Sequence, residues 1–209
     1  MPRKPRIHYK GALYHVMARG NNGEAVLEHD QDKQKYLDLV RKYKARYEFK
    51  LYAYCIMDNH VHMLIEVADT PLSKIMQGVQ QSFTQSFNKR YERTGHVFQQ
   101  RYKVNLCDKE NYFLQAIKYI HYNPVKASLN GGIDYKWSSH KDYLKNDNHS
   151  LVDKDFPLSI FSKDSIKALK WYSKFMNEPD DDIEAVCFTL SEGPDGSHEK
   201  SNIDERRII

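Results

Sequence analysis

The sequence predicts an α+β fold built on an antiparallel sheet, because short apolar segments and longer amphipathic ones follow each other in the order β-α-β-β-α-β. The clearest evidence is a pair of apolar segments, 49–57 and 60–67, which are separated only by Asp58 and Asn59 and so predict a β-hairpin. Before this hairpin, apolar side chains recur at helical spacing within residues 30–47. The order of elements is that of the ferredoxin-like (RRM-like) fold, in which the helices lie on one face of the sheet.

Three further segments complete this order. Residues 11–19 predict a first strand that ends in the loop 20–23, since glycine and asparagine favour turns. A second helix begins at Thr70-Pro71, with threonine as its cap. Its predicted buried positions recur at helical spacing: Leu72, Ile75, Met76, Val79, Phe83 and Phe87. Residues 97–107 predict the fourth strand.

A further helix, which carries Tyr119, follows this core and forms the C-terminal end of the fold. We expect Asp108 to cap it and the helix to end near Tyr122, before Pro124. Another helix is predicted at about 164–177. These patterns divide the chain into a principal domain, a helical extension and an acidic, loosely structured tail, with the ranges 1–145, 146–177 and 178–209.

Charge is distributed unevenly along the chain. Residues 178–209 carry a net charge of −7, whereas the rest of the chain stands at +11. The first 23 residues contain five Lys or Arg side chains and no acidic one. A basic body of this kind is typical of proteins that bind a polyanion, although a basic surface that serves only solubility is the alternative.

Nothing in the sequence predicts a membrane or secretory protein. No apolar run approaches the roughly 18 residues that cross a bilayer, and the first ten residues lack an apolar signal segment. The three cysteines, Cys55, Cys107 and Cys187, are far apart and lack CxxC spacing, so we expect reduced thiols. These features predict a cytoplasmic protein.

A pair of histidines at the start of the second hairpin strand predicts a metal site. His60 and His62 are two residues apart, so on a strand they share one face at a spacing of about 6.6 Å, while apolar Val61 faces the other side. Paired imidazoles commonly bind a divalent metal. Without a cysteine pair a structural zinc site is not expected, and a third oxygen ligand would leave an open site for Mg²⁺ or Mn²⁺. The alternative is a strand edge with two solvated histidines.

Tyr119 and Asn123 stand one helical turn apart and therefore share a helix face. The apolar positions of this helix lie on its other side, so Tyr119 is predicted to be an exposed phenol. A phenol with a pKa near 10 is mostly neutral at pH 7 and can attack phosphorus only with help from a neighbouring base or metal. Because the chain has 15 tyrosines, a packing or base-stacking role is the alternative, and periodicity alone barely separates Tyr119 from Tyr112.

Cations interleaved with aromatic rings predict a surface for unpaired nucleic acid, in which cations contact phosphates and rings stack on bases. The alternative is a solvated helix end followed by an exposed strand. The candidate DNA-binding residues are Arg3, Lys4, Arg6, Arg19, Lys89, Arg90, Arg93, Gln100, Arg101 and Lys103. The segment 137–140 could be a further contact, but docking of the C-terminal region is the favoured interpretation.

Five motifs in this order resemble those of the single-tyrosine HUH transposases, most closely the REP-associated tyrosine transposases. They are YHVMARGN at 14–21, MDNHVH at 57–62, FQQRY at 98–102, YIHYNPVKA at 119–127 and WSS at 137–139, and the resemblance covers about residues 5–145. It implies a ferredoxin-like domain that, with Mg²⁺ or Mn²⁺, cleaves and rejoins single-stranded DNA beside a hairpin.

The resemblance also assigns roles to individual residues. It implies that His60 and His62 are metal ligands, that Tyr119 is the nucleophile forming a 5′-phosphotyrosine link, and that Asn123 is a third polar ligand, where insertion-sequence members often have glutamine. It further implies a DNA-associated protein of the bacterial cytoplasm, either a monomer or a homodimer. Two alternatives are a non-catalytic nucleic-acid-binding regulator of the same fold and a phosphodiesterase that uses water as nucleophile.

Overall fold

The computed structural model describes residues 8–107, 112–145 and 150–178, and it confirms the predicted α+β fold. Four antiparallel strands form one sheet in the order β2-β3-β1-β4, which is the strand order of the ferredoxin-like fold. The elements in chain order are β1 (Leu13–Arg19), α1 (Asp30–Tyr47), β2 (Lys50–Ile56), β3 (His60–Glu66), α2 (Leu72–Arg90), β4 (Lys103–Cys107), α3 (Phe113–Lys126), α4 (His140–Leu144), α5 (Asp155–Phe161) and α6 (Ser165–Asn177).

The register of the two central strands separates an apolar face from a histidine-bearing face. Val16 pairs with Met63, whereas Met17 pairs with His62, and side chains of paired residues project from the same face. The apolar face is buried, and the buried sides of α1 and α2 pack against it. The histidine-bearing face is covered instead by α3, which packs against β2 and β3. The predicted helix with the tyrosine therefore lies on the opposite side of the sheet from the two core helices.

Helices α1 and α2 approach each other closely at Gly78. A Cβ at this position would lie 2.5 Å from Cε1 of Tyr43, whose hydroxyl is bonded to Oγ of Ser82 at 2.9 Å. This hydrogen bond holds the Tyr43 ring in place, so the ring cannot easily move away from a Cβ at position 78. Gly78 is thus required by the packing of α1 against α2.

We expect Gly78→Ala to destabilise the protein by about 1–2 kcal/mol, because overpacking outweighs the higher helix propensity of alanine. Gln77→Ala, on the exposed side of the same helix, is the matched control and should change stability little. Urea unfolding of the two variants measures the difference. Equal or greater stability of Gly78→Ala would show that the Tyr43 ring moves aside freely.

The fourth strand is shorter than predicted. Residues 97–107 were expected to form one strand, but β4 begins only at Lys103. Phe98 forms an isolated bridge with Gly20, and the chain then bends through residues 99–101 before it pairs with β1. The bend interrupts the ladder at the polar residues Gln99, Gln100 and Arg101, so the predicted strand was too long at its start.

Helix α3 continues through Pro124 to Lys126, so the prediction that it ends before Pro124 is wrong. Proline lacks the N–H that would bond to the carbonyl of Ile120, four residues earlier. The side chain of Asn123 supplies a substitute, since its Nδ2 donates to the carbonyls of Tyr119 at 2.9 Å and Ile120 at 3.5 Å. The predicted cap, Asp108, lies outside the described residues.

The outer edge of β2 is covered by the C-terminal part of the chain. Ser138 bridges to Cys55, and Oγ of Ser139 accepts a bond from the backbone N–H of Tyr54 at 2.9 Å. The indole of Trp137 donates to Asp30 at 2.9 Å. The segment 137–139 thus covers this edge of β2, which agrees with a structural role for it.

Within the described ranges, no helix is long and apolar enough to cross a membrane. Cys55 and Cys107 are buried, whereas Cys187 lies outside the described residues. The domain limits at 145 and 177 remain predictions. The acidic tail is outside the described part of the chain apart from Glu178.

Candidate active site

Three histidines meet on the face of the sheet that α3 covers. His60 and His62 lie on β3 with ring centroids 5.0 Å apart, as their spacing predicted. The third is His15 of β1, whose Nε2 lies 2.9 Å from Nδ1 of His62. Met17 pairs directly with His62 across the sheet, so His15, two residues before Met17, is the diagonal neighbour of His62. The sheet register therefore brings a further imidazole to the pair.

Burial keeps these imidazoles uncharged at neutral pH. It lowers the pKa of His15 to about 4. It also lowers the pKa of His62 well below its ordinary value, with smaller contributions from His15 and His60. The pKa of His60 is lowered by burial first and then by the positive charge of Arg19. Neutral rings have lone pairs to offer, which is the state in which histidine binds a metal.

Tyr119 is brought from α3 against the same histidines. Its ring lies edge-on to His15 and His62, with centroid separations of 5.5 and 5.7 Å. The ammonium of Lys126 lies 5.2 Å from the centroid of the tyrosine ring. Asn123 lies one turn further along α3 and is buried. The predicted nucleophile thus lies against His62, one of the predicted ligands, although the two are 57 positions apart in the sequence.

The three predicted metal ligands would offer nitrogen and oxygen donors to an ion. Within the described part of the chain, no three His, Cys, Asp or Glu side chains are arranged to hold a metal. A site made by His60, His62 and Asn123 would have two imidazoles and one amide oxygen, and the Nδ2 bonds of Asn123 leave Oδ1 as its acceptor atom. Imidazoles suit first-row transition ions better than they suit Mg²⁺.

Helix α3 is fixed from its other side by the C-terminal helix α6. The ammonium of Lys118 donates to the carbonyl of Glu178 at 2.8 Å, and the hydroxyl of Tyr122 donates to the carbonyl of Met176 at 2.5 Å. The hydroxyl of Tyr172 contacts Nδ1 of His121 at 3.1 Å. Residues on both sides of Tyr119 are therefore tied to α6 or to Glu178, which directly follows it. We infer that the extension positions the tyrosine helix within its own chain.

Some of the predicted DNA-binding residues lie beside the histidine cluster. Arg19 is paired in register with His60, and Lys103 is opposite Met17, so both project from the histidine-bearing face. Gln100 and Arg101 are exposed in the bend that precedes β4. The backbone of this bend is anchored to β1, where the N–H of Gln99 donates to the carbonyl of Arg19 at 3.0 Å.

Other predicted DNA-binding residues are engaged within the protein or lie outside its described part. Arg90 forms an ion pair with buried Asp32, and Arg93 pairs with Glu24 at 2.9 Å. These carboxylates offset the positive charge that the sequence suggested for the end of α2. Lys89 is exposed. The N-terminal residues Arg3, Lys4 and Arg6 are outside the described ranges.

Comparison with known proteins identifies first the fold and then the family. The chain resembles a solved structure of a REP-associated tyrosine transposase bound to a REP hairpin, with a TM-score of 0.61 and 17% identity over 72% of this chain and 90% of that one. A protein of Deinococcus radiodurans R1 assigned to the transposases matches with a TM-score of 0.41 and 18% identity, over 57% and 95% of the two chains. No curated protein matches the chain.

The family model described as "Transposase IS200 like" matches residues 8–123, which is more than half of the chain. The protein therefore belongs to the IS200-like transposase family, and its general role is that of a transposase. Enzymes of this family are in general metal-dependent. The matched range contains the three histidines and Tyr119.

Proposed function

We propose that the protein cleaves and rejoins single-stranded DNA beside a hairpin, using Tyr119 as nucleophile and His60, His62 and Asn123 as ligands of Mn²⁺ or Mg²⁺. The observation that carries this proposal is the edge-on contact of the Tyr119 ring with His15 and His62. A tyrosine that served only to pack the core would not need a buried histidine cluster at its ring.

The proposed reaction forms one bond and breaks one bond in each half. The phenol oxygen of Tyr119 attacks the phosphorus, the bond to the 3′ oxygen breaks, and the proton of the phenol is returned to the departing 3′ hydroxyl through solvent. The 5′-phosphotyrosine keeps the energy of the phosphodiester, so the 3′ hydroxyl of another strand can later displace the phenol without ATP. A bound cation would neutralise the phosphate charge and polarise phosphorus.

The residues around the tyrosine supply position and charge. Helix α3 is held by the sheet on one side and by α6 on the other, which fixes the direction of the phenol. The ammonium of Lys126 near the ring and the guanidinium of Arg19 beside His60 give the site positive charge toward a phosphate. Exposed Gln100, Arg101 and Lys103 extend this surface along the edge of the sheet.

Hairpin DNA is the proposed partner because the solved transposase that this chain resembles is bound to a REP hairpin. The test incubates the protein with hairpin oligonucleotides that carry single-stranded flanks, with Mn²⁺, Mg²⁺ or EDTA. Intact-mass spectrometry should detect a covalent protein–DNA species in the presence of metal, and digestion should map it to Tyr119. Hairpin binding without an adduct in any metal would favour the non-catalytic regulator. Cleavage without an adduct would favour the phosphodiesterase.

A further inference from the structure

The contact between His15 and His62 is a hydrogen bond in the plane of both rings. Nε2 of His15 and Nδ1 of His62 are 2.9 Å apart, the ring centroids are 5.2 Å apart, and the ring planes differ by only 16°. The distance between the ring centroids exceeds the distance between the two nitrogens by about the diameter of one ring. The rings therefore lie side by side rather than face to face. This is the geometry of an N–H directed at a lone pair.

The direction of this bond decides what the other nitrogen of His62 can do. Two ring nitrogens at hydrogen-bond distance share one proton, so one ring donates and the other accepts. If Nδ1 of His62 donates, its Nε2 keeps a lone pair and can bind a metal. If Nε2 of His15 donates, the proton of His62 is on Nε2, and that atom cannot be a ligand.

His60 shows how the neighbouring imidazole of the pair is arranged. Its Nδ1 lies 2.6 Å from Oδ1 of Asn59, and the amide nitrogen of Asn59 donates to the carbonyl of Gly23 at 3.4 Å. The second bond orients the amide, so the oxygen faces His60 and can only accept. Nδ1 of His60 therefore donates, and its Nε2 keeps the lone pair.

We propose that His15 is a positioning residue that accepts the Nδ1–H of His62, as Asn59 accepts the Nδ1–H of His60, so that both Nε2 lone pairs are available to one cation. The statement that the histidines bind a cation rests on the proposed function. The hydrogen bond between His15 and His62 does not depend on it. Histidines that bind metals almost always donate their other ring N–H to an acceptor, and here the acceptor is a third imidazole.

The surroundings of His15 favour this role over that of a ligand. Only 8% of the residue is exposed, and its Nε2 is already engaged by His62. Its ring also contacts Tyr119 edge-on. His15 therefore connects the ring that would bind the cation to the ring of the nucleophile, and replacing it should change metal affinity without removing a ligand.

The first test reads the protonated nitrogens directly, in full-length protein without metal or DNA. Nitrogen-15 NMR of the histidine side chains at pH 7 should show protonated Nδ1 and unprotonated Nε2 for both His60 and His62, and an unprotonated Nε2 for His15, which accepts the bond. A proton on Nε2 of His62 would overturn the proposal. This result does not depend on whether the protein cleaves DNA.

The second test measures Mn²⁺ affinity by calorimetry in His15→Gln and His15→Phe. The glutamine oxygen can accept the bond from His62, whereas phenylalanine fills the space without an acceptor. We expect His15→Phe to weaken Mn²⁺ binding by about 10- to 100-fold and His15→Gln to recover most of this loss. Thermal unfolding of each variant separates this effect from a loss of fold.

Two outcomes of the affinity measurement would overturn the proposal. One is wild-type Mn²⁺ affinity in His15→Phe, and the other is equal loss in both folded variants, which would indicate that the imidazole itself is the ligand. If the wild-type protein bound no Mn²⁺, the metal requirement of the proposed function would fail. The NMR measurement would then still decide the direction of the bond.

Discussion

Tyr119→Phe should abolish the covalent protein–DNA species while leaving hairpin affinity within about twofold of wild type. The substitution removes only the hydroxyl. The phenylalanine ring keeps the edge-on contacts with His15 and His62, and the ammonium of Lys126 can still lie against it. Loss of a catalytic nucleophile lowers the rate by roughly 10⁴-fold or more, so no adduct should be detectable by intact mass.

Tyr112→Phe is the matched control, because Tyr112 adjoins the same helix and is exposed. It should form adduct at the wild-type rate. A full adduct yield in Tyr119→Phe would disprove the assignment of the nucleophile. Loss of adduct in both variants, with hairpin binding retained, would point to a role of the whole helix surface rather than of one hydroxyl.

The sequence predicted the elements well wherever the evidence is periodic and local. The helix expected at 30–47 is α1, and the helix expected at 164–177 differs from α6 by one residue. The hairpin followed from the turn at 58–59, which places His60 and His62 at the start of β3. Alternation along a strand then put both histidines on one face without any knowledge of tertiary structure.

Local patterns could not predict contacts that depend on the sheet register. His15 was part of a recognised motif, yet nothing in its own segment indicated a bond to His62, because that bond depends on the pairing of β1 with β3. For the same reason, the sequence could not show that Arg90 pairs with Asp32, 58 residues earlier. His15 becomes the diagonal neighbour of His62 only through the register that pairs Met17 with His62.

The tyrosine helix shows both what local patterns can predict and what they cannot. Its apolar spacing was sufficient to predict a helix around Tyr119, but Tyr112 and Tyr119 had nearly equal claims on periodicity. The structure separates them, since Tyr119 lies at the histidine cluster and Tyr112 is exposed outside α3. The helix end was mispredicted because Asn123 replaces the hydrogen bond that Pro124 cannot make. One side chain thus overrides a general helix-stop signal.

Acidification from pH 6 to pH 5 should destabilise the protein by roughly 3–4 kcal/mol. Burial lowers the pKa of His15 to about 4 and those of His62 and His121 well below the ordinary value. In the unfolded chain these histidines bind protons below about pH 6.5, whereas in the folded protein they stay neutral. Stability is therefore complete above pH 6.5 and falls with pH, by about 1 kcal/mol per unit for each ring. Urea unfolding at several pH values measures this slope.

The variant His121→Gln tests whether the buried histidines cause this pH dependence of stability. Glutamine can keep a polar contact with Ser139 or Tyr172, which bond to His121, but it has no proton to gain. The variant should lose the contribution of one ring, about 1 kcal/mol between pH 6 and pH 5, whereas His29→Gln, at an exposed position, should keep nearly all of the slope. A loss of this size is a large fraction of the roughly 5–15 kcal/mol stability of a typical domain, so the wild type should unfold at a clearly lower urea concentration at pH 5 than at pH 6. A flat profile would mean that the buried rings take up protons without unfolding, which the enclosed geometry of His15, His62 and His121 argues against.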